Sequence, residues 1–328
     1  MYKKKRWLVA VFLSALVTMG VGWNKEAQCQ PKYPTRAIDI IVPFAAGAGT
    51  DAANRLPATY LSKKWGVPIN VINKPGGNTL PANMDLYSAA PDGYTILGDS
   101  PPSSSMLEAV VKDLPFKVLD KTFIVSTMST PMIFIVPSTS PLKTLNDVIA
   151  EAKRDPANFT WGSLGGASGL DLVTRQLFKA IGVDVMKTKP VMFKGGALVV
   201  VAISGGHIKL GSTNPYSAIA SAQAGVVRVI AITRERNPVY PDVPTTEELG
   251  YPTVDCISWQ SLSGPPKMPS YIVEFWDREV KAMLKDPEFM KQAKNAGFKI
   301  DYKNSADTRE VVRKEAEEVA ELWGVKKK

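Results

Sequence analysis

The stretch that decides the fold is Ile38-Asp39-Ile40-Ile41-Val42-Pro43-Phe44-Ala45-Ala46-Gly47-Ala48-Gly49-Thr50-Asp51, in which an apolar run ends in small residues and a helix start. The β-branched residues of the run suit a strand that is buried on both faces. Gly47 and Gly49 allow a tight turn or a close approach to a ligand, and Thr50 or Asp51 is suited to cap the helix that follows. The stretch therefore predicts a strand, a tight loop and a helix.

The start of such a helix can hold an anion. Its first amides are unpaired and it carries roughly half a positive charge, so a carboxylate or phosphate can dock there without a Lys or Arg. A capped turn without any ligand is the alternative that these residues leave open. The stretch does not match a dinucleotide-binding fingerprint, because the third glycine is missing and Asn70 and Asn73 stand where an acidic residue would end the next strand.

The first residues of the chain predict export. Residues 3–6 are basic, and residues 7–21 form an apolar run that is too short to span a bilayer comfortably. We expect residues 1–29 to be the signal peptide of a soluble periplasmic protein, with a lipid anchor at Cys29 as the alternative. The leader contributes four positive charges to the net charge of +9, and no basic patch with interleaved aromatic residues follows. Nucleic acid is therefore not an expected partner.

The unit of strand, small-residue loop and helix recurs along the chain, which is the rhythm of a parallel α/β sheet. Residues 73–78 and 99–105 form two further loops of this kind, and residues 162–169 form a glycine-serine loop before a helix at 170–181. The loop at 162–169 indicates an anion site more strongly than the first loop does. The mature chain is longer than one core usually supports, so we expect two lobes, with one crossover at 129–131 and a return crossover in the proline-rich segment 237–259.

The residue types that carry catalysis or bind metals are sparse. His207 is the only histidine and lies in a turn before a strand, Cys256 is the only cysteine beyond the leader, and neither has a partner at metal-ligand spacing. No Gly-x-x-x-x-Gly-Lys phosphate loop occurs. We therefore expect a binding protein rather than an enzyme, with no metal and no cofactor.

Short motifs in a fixed order resemble the substrate-binding receptors of tripartite tricarboxylate transporters, the Bug family. The matching runs are Tyr33-Pro34-Thr35-Arg36, Ile41-Val42-Pro43-Phe44 with Gly47 and Gly49-Thr50-Asp51, Asn73-Lys74-Pro75-Gly76, Pro91-Asp92-Gly93-Tyr94, Trp161-Gly162-Ser163, Phe193-Lys194-Gly195-Gly196-Ala197, Pro241-Asp242-Val243-Pro244-Thr245 and Ser258-Trp259. They cover nearly the whole mature chain. The resemblance implies an α/β fold of the type II periplasmic binding protein class, with two lobes joined by two crossovers around a ligand cleft.

The resemblance also implies a set of ligand-binding residues. The first loop supplies Phe44, Ala45, Gly47, Thr50 and Asp51, the second-lobe loop supplies Ser163, Gly166 and Ser168, and Lys194, Gly195, Gly196 and Thr213 line the far wall. Thr213 stands near a position where the family usually has an acidic residue, and Ala45, Ala46 and Ala48 replace its usual prolines and glycines. The identity of the ligand therefore cannot be transferred from the family.

By this resemblance we expect a receptor that captures a small aliphatic or aromatic carboxylate and delivers it to the membrane subunits of a secondary transporter. The alternative is a sensory receptor of the same fold that acts on a membrane kinase. We expect a monomer, with residues 30–130 as the first part of lobe 1, 131–254 as lobe 2, and 255–328 as the return to lobe 1 with the C-terminal helices.

Overall fold

A computed structural model describes residues 32–165 and 168–322, so the expected signal peptide lies outside the described residues. The strands are β1 Ile38–Val42, β2 Ile69–Asn73, β3 Thr95–Asp99, β4 Thr122–Pro131, β5 Ile133–Pro137, β6 Thr160–Ser163, β7 Lys189–Met192, β8 Gly211–Thr213, β9 Val227–Ile232, β10 Ile257–Gly264 and β11 Lys299–Lys303. The helices are α1 Gly49–Trp65, α2 Leu80–Ser88, α3 Leu107–Val110, α4 Leu145–Arg154, α5 Gly169–Ala180, α6 Gly196–Ser204, α7 Pro215–Gln223, α8 Ser270–Met283, α9 Pro287–Asn295 and α10 Ser305–Leu322.

A six-stranded sheet in the order β11-β4-β10-β3-β1-β2 organises one lobe. The first three strands run parallel to one another, as the repeated units predict, whereas β10 is antiparallel to both β3 and β4. Helices α1, α8 and α10 pack against strands of this sheet. Because β10 returns late in the chain to lie between two early strands, this lobe is built from both ends of the described sequence.

The other lobe contains a three-stranded sheet in the order β8-β5-β9 and a parallel pair of β6 and β7. A single bridge between Trp161 and Leu210 joins the pair to the edge of β8. Helix α5 packs on β8, and α6 packs on both β8 and β5. The starts of α5, α6 and α7 follow β6, β7 and β8 directly, which places several strand-to-helix loops at one edge of the lobe.

The first passage between the two sheets differs from the prediction. Ser129, Thr130 and Pro131, expected as a connecting segment, form the end of the ten-residue strand β4 and pair with β10. Met132 alone separates β4 from β5. The hydrophobic strand therefore continues without a loop from one sheet into the other. Within the described ranges, no helix is long and apolar enough to cross a membrane.

Candidate functional site

The first loop leaves the start of α1 free of any side-chain cap. The capping residue is Ala48, in extended backbone, so the expectation that Thr50 or Asp51 caps this helix is wrong. Both residues lie inside the first turn because the capping position, Ala48, is two residues before Thr50. The first amides of α1 consequently have no acceptor from a capping side chain.

Asp51 instead folds the loop back onto the helix. Its Oδ2 accepts hydrogen bonds from Gly47 N and Arg55 Nε, both at 3.0 Å, and its Oδ1 accepts one from Asn73 Nδ2 at 2.8 Å. Burial alone would raise the pKa of Asp51, but Arg55, the Gly47 amide and Asn73 together lower it below its usual value. The carboxylate is therefore ionised, and Arg55 neutralises it at 2.9 Å.

In the second-lobe loop another aspartate, Asp171, accepts hydrogen bonds from the loop in the same way. Ser168 caps α5 by accepting a hydrogen bond from Asp171 N at 3.1 Å, and its hydroxyl donates to Asp171 Oδ2 at 2.5 Å. Ser163 donates to the other oxygen of Asp171, and Leu164 N donates to Oδ2 at 2.8 Å. Gly166, the third residue predicted in this loop, lies outside the described residues.

Asp51 and Asp171 are both the third residue of a helix that starts at a cleft loop. Sequence reasoning missed the role of Asp171, although the spacing of Ser168 and Asp171 matches a capping box. In each loop the carboxylate of the aspartate accepts hydrogen bonds from polar atoms of the turn. The first amides of α1 are thereby left without a side-chain acceptor, whereas in α5 Ser168 accepts from the amide of Asp171.

The third loop, residues 99–105, is held by a buried ion pair. Asp99 and Lys121 are both fully buried, and the Lys121 Nζ lies 2.8 Å from Asp99 Oδ2. Burial would raise the pKa of Asp99, but the charge of Lys121 and the hydroxyls of Ser103 and Ser104 lower it. Lys121 Nζ also donates to Ser103 O at 3.0 Å, so the ammonium fixes the backbone of the loop as well.

The far wall is formed where β8 ends and α6 begins. A Cβ on Gly196 would stand 2.4 Å from Thr213 Oγ1, so only glycine fits at the start of α6. Thr213 Oγ1 is buried and has no hydrogen-bond partner in the described chain. Lys194 is exposed and is not among the residues that line the cavity described next.

Four helix starts converge on one cavity of about 30 Å³. They contribute Gly49 and Thr50 of α1, Gly169 and Leu170 of α5, Gly196 of α6, and Asn214, which precedes α7. Each helix start carries roughly half a positive charge. No Lys or Arg is among the described residues that line this cavity, so the positive charge of its lining comes from the helix starts.

The predicted site residues that the structure describes separate into four groups. Phe44, Thr50, Ser168 and Gly196 line the cavity. Ala45, Gly47 and Gly195 lie at the contact between the walls: a Cβ on Gly195 would stand 3.7 Å from Ala45 Cβ, and Ser217 Oγ donates to Gly47 O at 3.4 Å. Asp51, Ser163 and Thr213 lie behind the lining, and Lys194 lies outside it. The prediction did not include Ser100, Met132, Asn214 or Ser258, which also line the cavity.

A larger cavity, of about 390 Å³, is lined by described residues of α5, β10 and α10, and none of the helix-start residues that line the small cavity is among them. Several of its charged residues already have partners, since Arg234 pairs with Asp255 at 2.7 Å and Lys303 pairs with Asp301. In the described part of the chain no group of three or more His, Cys, Asp or Glu could hold a metal ion. The small cavity at the helix starts is therefore the candidate site.

Comparison with known proteins agrees with this geometry. Residues 53–324 match the TctC model, described as the tripartite tricarboxylate transporter family receptor. A relative from Cupriavidus necator, the UPF0065 protein in the gbd 5' region, is 32% identical over 267 residues, with 78% of each chain covered.

Two solved structures share the fold. The periplasmic binding protein BugD is 25% identical, with a TM-score of 0.82 over 90% of this chain and 100% of its own. R. palustris Rpa4515 with adipate is 25% identical, with a TM-score of 0.83 over 89% of this chain and 99% of its own. The chain therefore belongs to the tripartite tricarboxylate transporter family of receptors, the Bug solute-binding proteins, and has the two-lobed periplasmic binding protein fold.

Proposed function

We propose that this protein is a periplasmic receptor that captures a small organic carboxylate and delivers it to the membrane subunits of a tripartite tricarboxylate-type transporter. The observation that carries the proposal is the convergence of the starts of α1, α5, α6 and α7 on one cavity. We infer the same lobes as the sequence predicts, 30–130 with 255–328 and 131–254, because the strands of the six-stranded sheet fall in the first two ranges, apart from Pro131 at the end of β4.

Helix starts suit a carboxylate for a physical reason. An anion loses its hydration when it enters a cleft, and unpaired backbone amides can replace the lost hydrogen bonds without moving. The loops are held in advance by Asp51 and Asp171, so little ordering is needed when the ligand arrives. Asp51 is neutralised by Arg55, which limits its repulsion of a bound anion.

The remaining walls fit a carbon skeleton. Phe44, Pro102, Met132 and Leu164 line the same cavity, so an aliphatic or aromatic body would contact apolar atoms while its carboxylate faces the amides. The related R. palustris protein was solved with adipate, an aliphatic dicarboxylate. Adipate is therefore the first ligand to test on this chain.

Ligand entry requires the lobes to separate. A cavity of about 30 Å³ has the volume of roughly one water molecule, which is much smaller than adipate. The contacts between Gly47 and Ser217 and between Ala45 and Gly195 must therefore open before a solute can enter. Movement of two lobes about short connections is a common way for binding proteins to do this.

A thermal-shift screen of the purified mature protein tests capture. The panel is acetate, benzoate, succinate, adipate and citrate, with 1,6-hexanediol as a control that has the length of adipate but no carboxylate. A ligand at about 100 times its dissociation constant adds about 2.7 kcal/mol to the free energy of unfolding. Stabilisation by the diol, or by none of the acids, would contradict carboxylate capture.

Delivery is tested separately from capture. We expect vesicles that contain the membrane subunits of a tripartite tricarboxylate-type transporter to accumulate the captured acid only when the receptor is added. A receptor that binds the acid but drives no uptake, and instead changes the activity of an adjacent sensor kinase, would favour the sensory alternative.

A further inference from the structure

We propose that Ser100 donates a hydrogen bond to the captured carboxylate, and that the buried Asp99–Lys121 pair is the device that leaves its hydroxyl free to do so. This assignment rests on the proposed function. It concerns the third loop, residues 99–105, to which neither the sequence motifs nor the family resemblance gives a role in binding.

The loop contains four serines, and three of their hydroxyls are already bonded. Ser103 Oγ donates to Asp99 Oδ1 at 2.5 Å, and Ser104 Oγ donates to Asp99 Oδ2 at 2.7 Å. Ser105 Oγ donates to Glu315 Oε2 at 2.7 Å, on the side of the loop that faces α10. Ser100 Oγ is the exception: it is buried, and its hydroxyl has no acceptor in the described chain.

The other polar atoms of Ser100 are fully engaged, so its conformation is fixed. Ser100 N donates to Asp99 Oδ1 and to Ser103 Oγ, both at 3.0 Å. Ser100 O accepts from Ser103 N, also at 3.0 Å. Ser100 is fully buried, and it lines the small cavity between the helix starts. A buried hydroxyl without a partner is costly, and it gains a bond if the cavity receives an acceptor.

The ion pair explains why this hydroxyl stays unbonded. Asp99 Oδ2 is saturated by Ser104, by Lys121 and by Ser263 Oγ at 2.7 Å. Asp99 Oδ1 already accepts from Ser100 N and Ser103 Oγ, so no carboxylate oxygen is left for Ser100 Oγ. A ligand carboxylate has no hydrogen to give, so the serine must be the donor.

The test compares two serines of the same loop. Ser100→Ala removes the proposed donor, and Ser105→Ala removes a hydroxyl that bonds Glu315 away from the cavity. The affinity for adipate, or for the tightest acid of the panel, is measured by titration calorimetry. The melting temperature of each variant is measured without any ligand.

We expect Ser100→Ala to weaken binding about 10- to 100-fold, the range for a hydrogen bond to a charged group. Its melting temperature without ligand should equal or exceed that of the wild type, because the variant loses no bond within the protein. Ser105→Ala should show the reverse pattern, with a lower melting temperature and unchanged affinity.

Unchanged affinity in Ser100→Ala, with a wild type that binds, would overturn the assignment alone. A fall in its ligand-free melting temperature as large as that of Ser105→Ala would also overturn it, because the hydroxyl would then support the fold. A wild type that binds no acid of the panel would overturn the proposed function and this assignment together.

Discussion

Gly49, the first residue of α1, lies so close to Asn214, the residue before α7, that a Cβ on Gly49 would stand 2.8 Å from Asn214 Cγ and Oδ1. The same Cβ would lie 2.9 Å from Asn214 Cβ, which cannot rotate away. Helix α1 contacts strands of the six-stranded sheet, and α7 follows β8 of the other lobe. The absence of a side chain at Gly49 therefore lets the two lobes meet.

Gly49→Ala should hinder closure of the lobes. Overpacking of a close contact costs about 1–3 kcal/mol, and here the cost falls on the closed form alone. We expect weaker carboxylate binding by calorimetry and a smaller decrease in the radius of gyration by small-angle scattering at saturating ligand. The double variant Gly49→Ala with Asn214→Gly should restore both the affinity and the decrease in the radius of gyration. Wild-type closure in Gly49→Ala would refute the steric argument.

Gly47→Val and Lys194→Met distinguish a backbone site from a lysine clamp. Gly47 has φ +80, a conformation that costs a β-branched residue about 1–3 kcal/mol, so Gly47→Val should weaken binding. Lys194 is exposed and outside the cavity lining, so Lys194→Met should change the binding free energy by less than about 0.5 kcal/mol. Both variants should first be shown to fold.

Calorimetry at two salt concentrations completes this comparison, because salt screens an exposed ammonium much more than buried amides. If Lys194→Met abolishes binding and Gly47→Val does not, a lysine clamp replaces the helix-start mechanism.

Ser163→Ala and Ser168→Ala should lower stability and affinity together. Both hydroxyls donate to Asp171, which is fully buried, so each variant removes a donor from a buried carboxylate. Loss of the cap at Ser168 should cost about 1 kcal/mol of unfolding free energy. The binding free energy should become less favourable by roughly 0.5–3 kcal/mol as the loop loosens. Ser88→Ala, at an exposed helix end, is the control, and unaltered affinity in both variants would place the site elsewhere.

The lowered pKa of Asp51 predicts that the protein loses stability in acid. Its pKa is lowered in the folded protein, so its contribution is fully present above the unfolded value of about 4 and disappears as the pH falls through the folded value. We expect urea denaturation to show wild type more stable than Asp51→Asn at pH 7, with the difference shrinking below pH 4. An equal difference at pH 7 and pH 2.5 would show that Asp51 does not act through its charge.

The sequence by itself determined the fold class, the family and the positions of several helix starts. The repeated apolar run, small-residue loop and amphipathic helix are local patterns, and each is read within about twenty residues. Helix α5 was expected at 170–181 and is found at Gly169–Ala180, because the glycine-serine loop and the apolar stripe both lie next to it. The family resemblance implied Phe44, Thr50, Ser168 and Gly196 as ligand-binding residues; all four line the cavity, and their contact with a ligand stays a prediction.

Only the tertiary structure decided which polar groups have hydrogen-bond partners and which have none. Lys121 has the sequence context of a surface lysine. It is nevertheless fully buried, because its ammonium forms an ion pair with Asp99 at the end of β3. Ser100 and Ser103 are alike in sequence, but Asp99 accepts from the hydroxyl of Ser103, and the hydroxyl of Ser100 is left without an acceptor in the described chain. Hydrogen-bond capacity is shared among residues that are distant in the chain, and the desolvation of each buried group must be balanced by a particular partner. No pattern along the chain specifies that partner, because the contact exists only once the strands of the six-stranded sheet have come together.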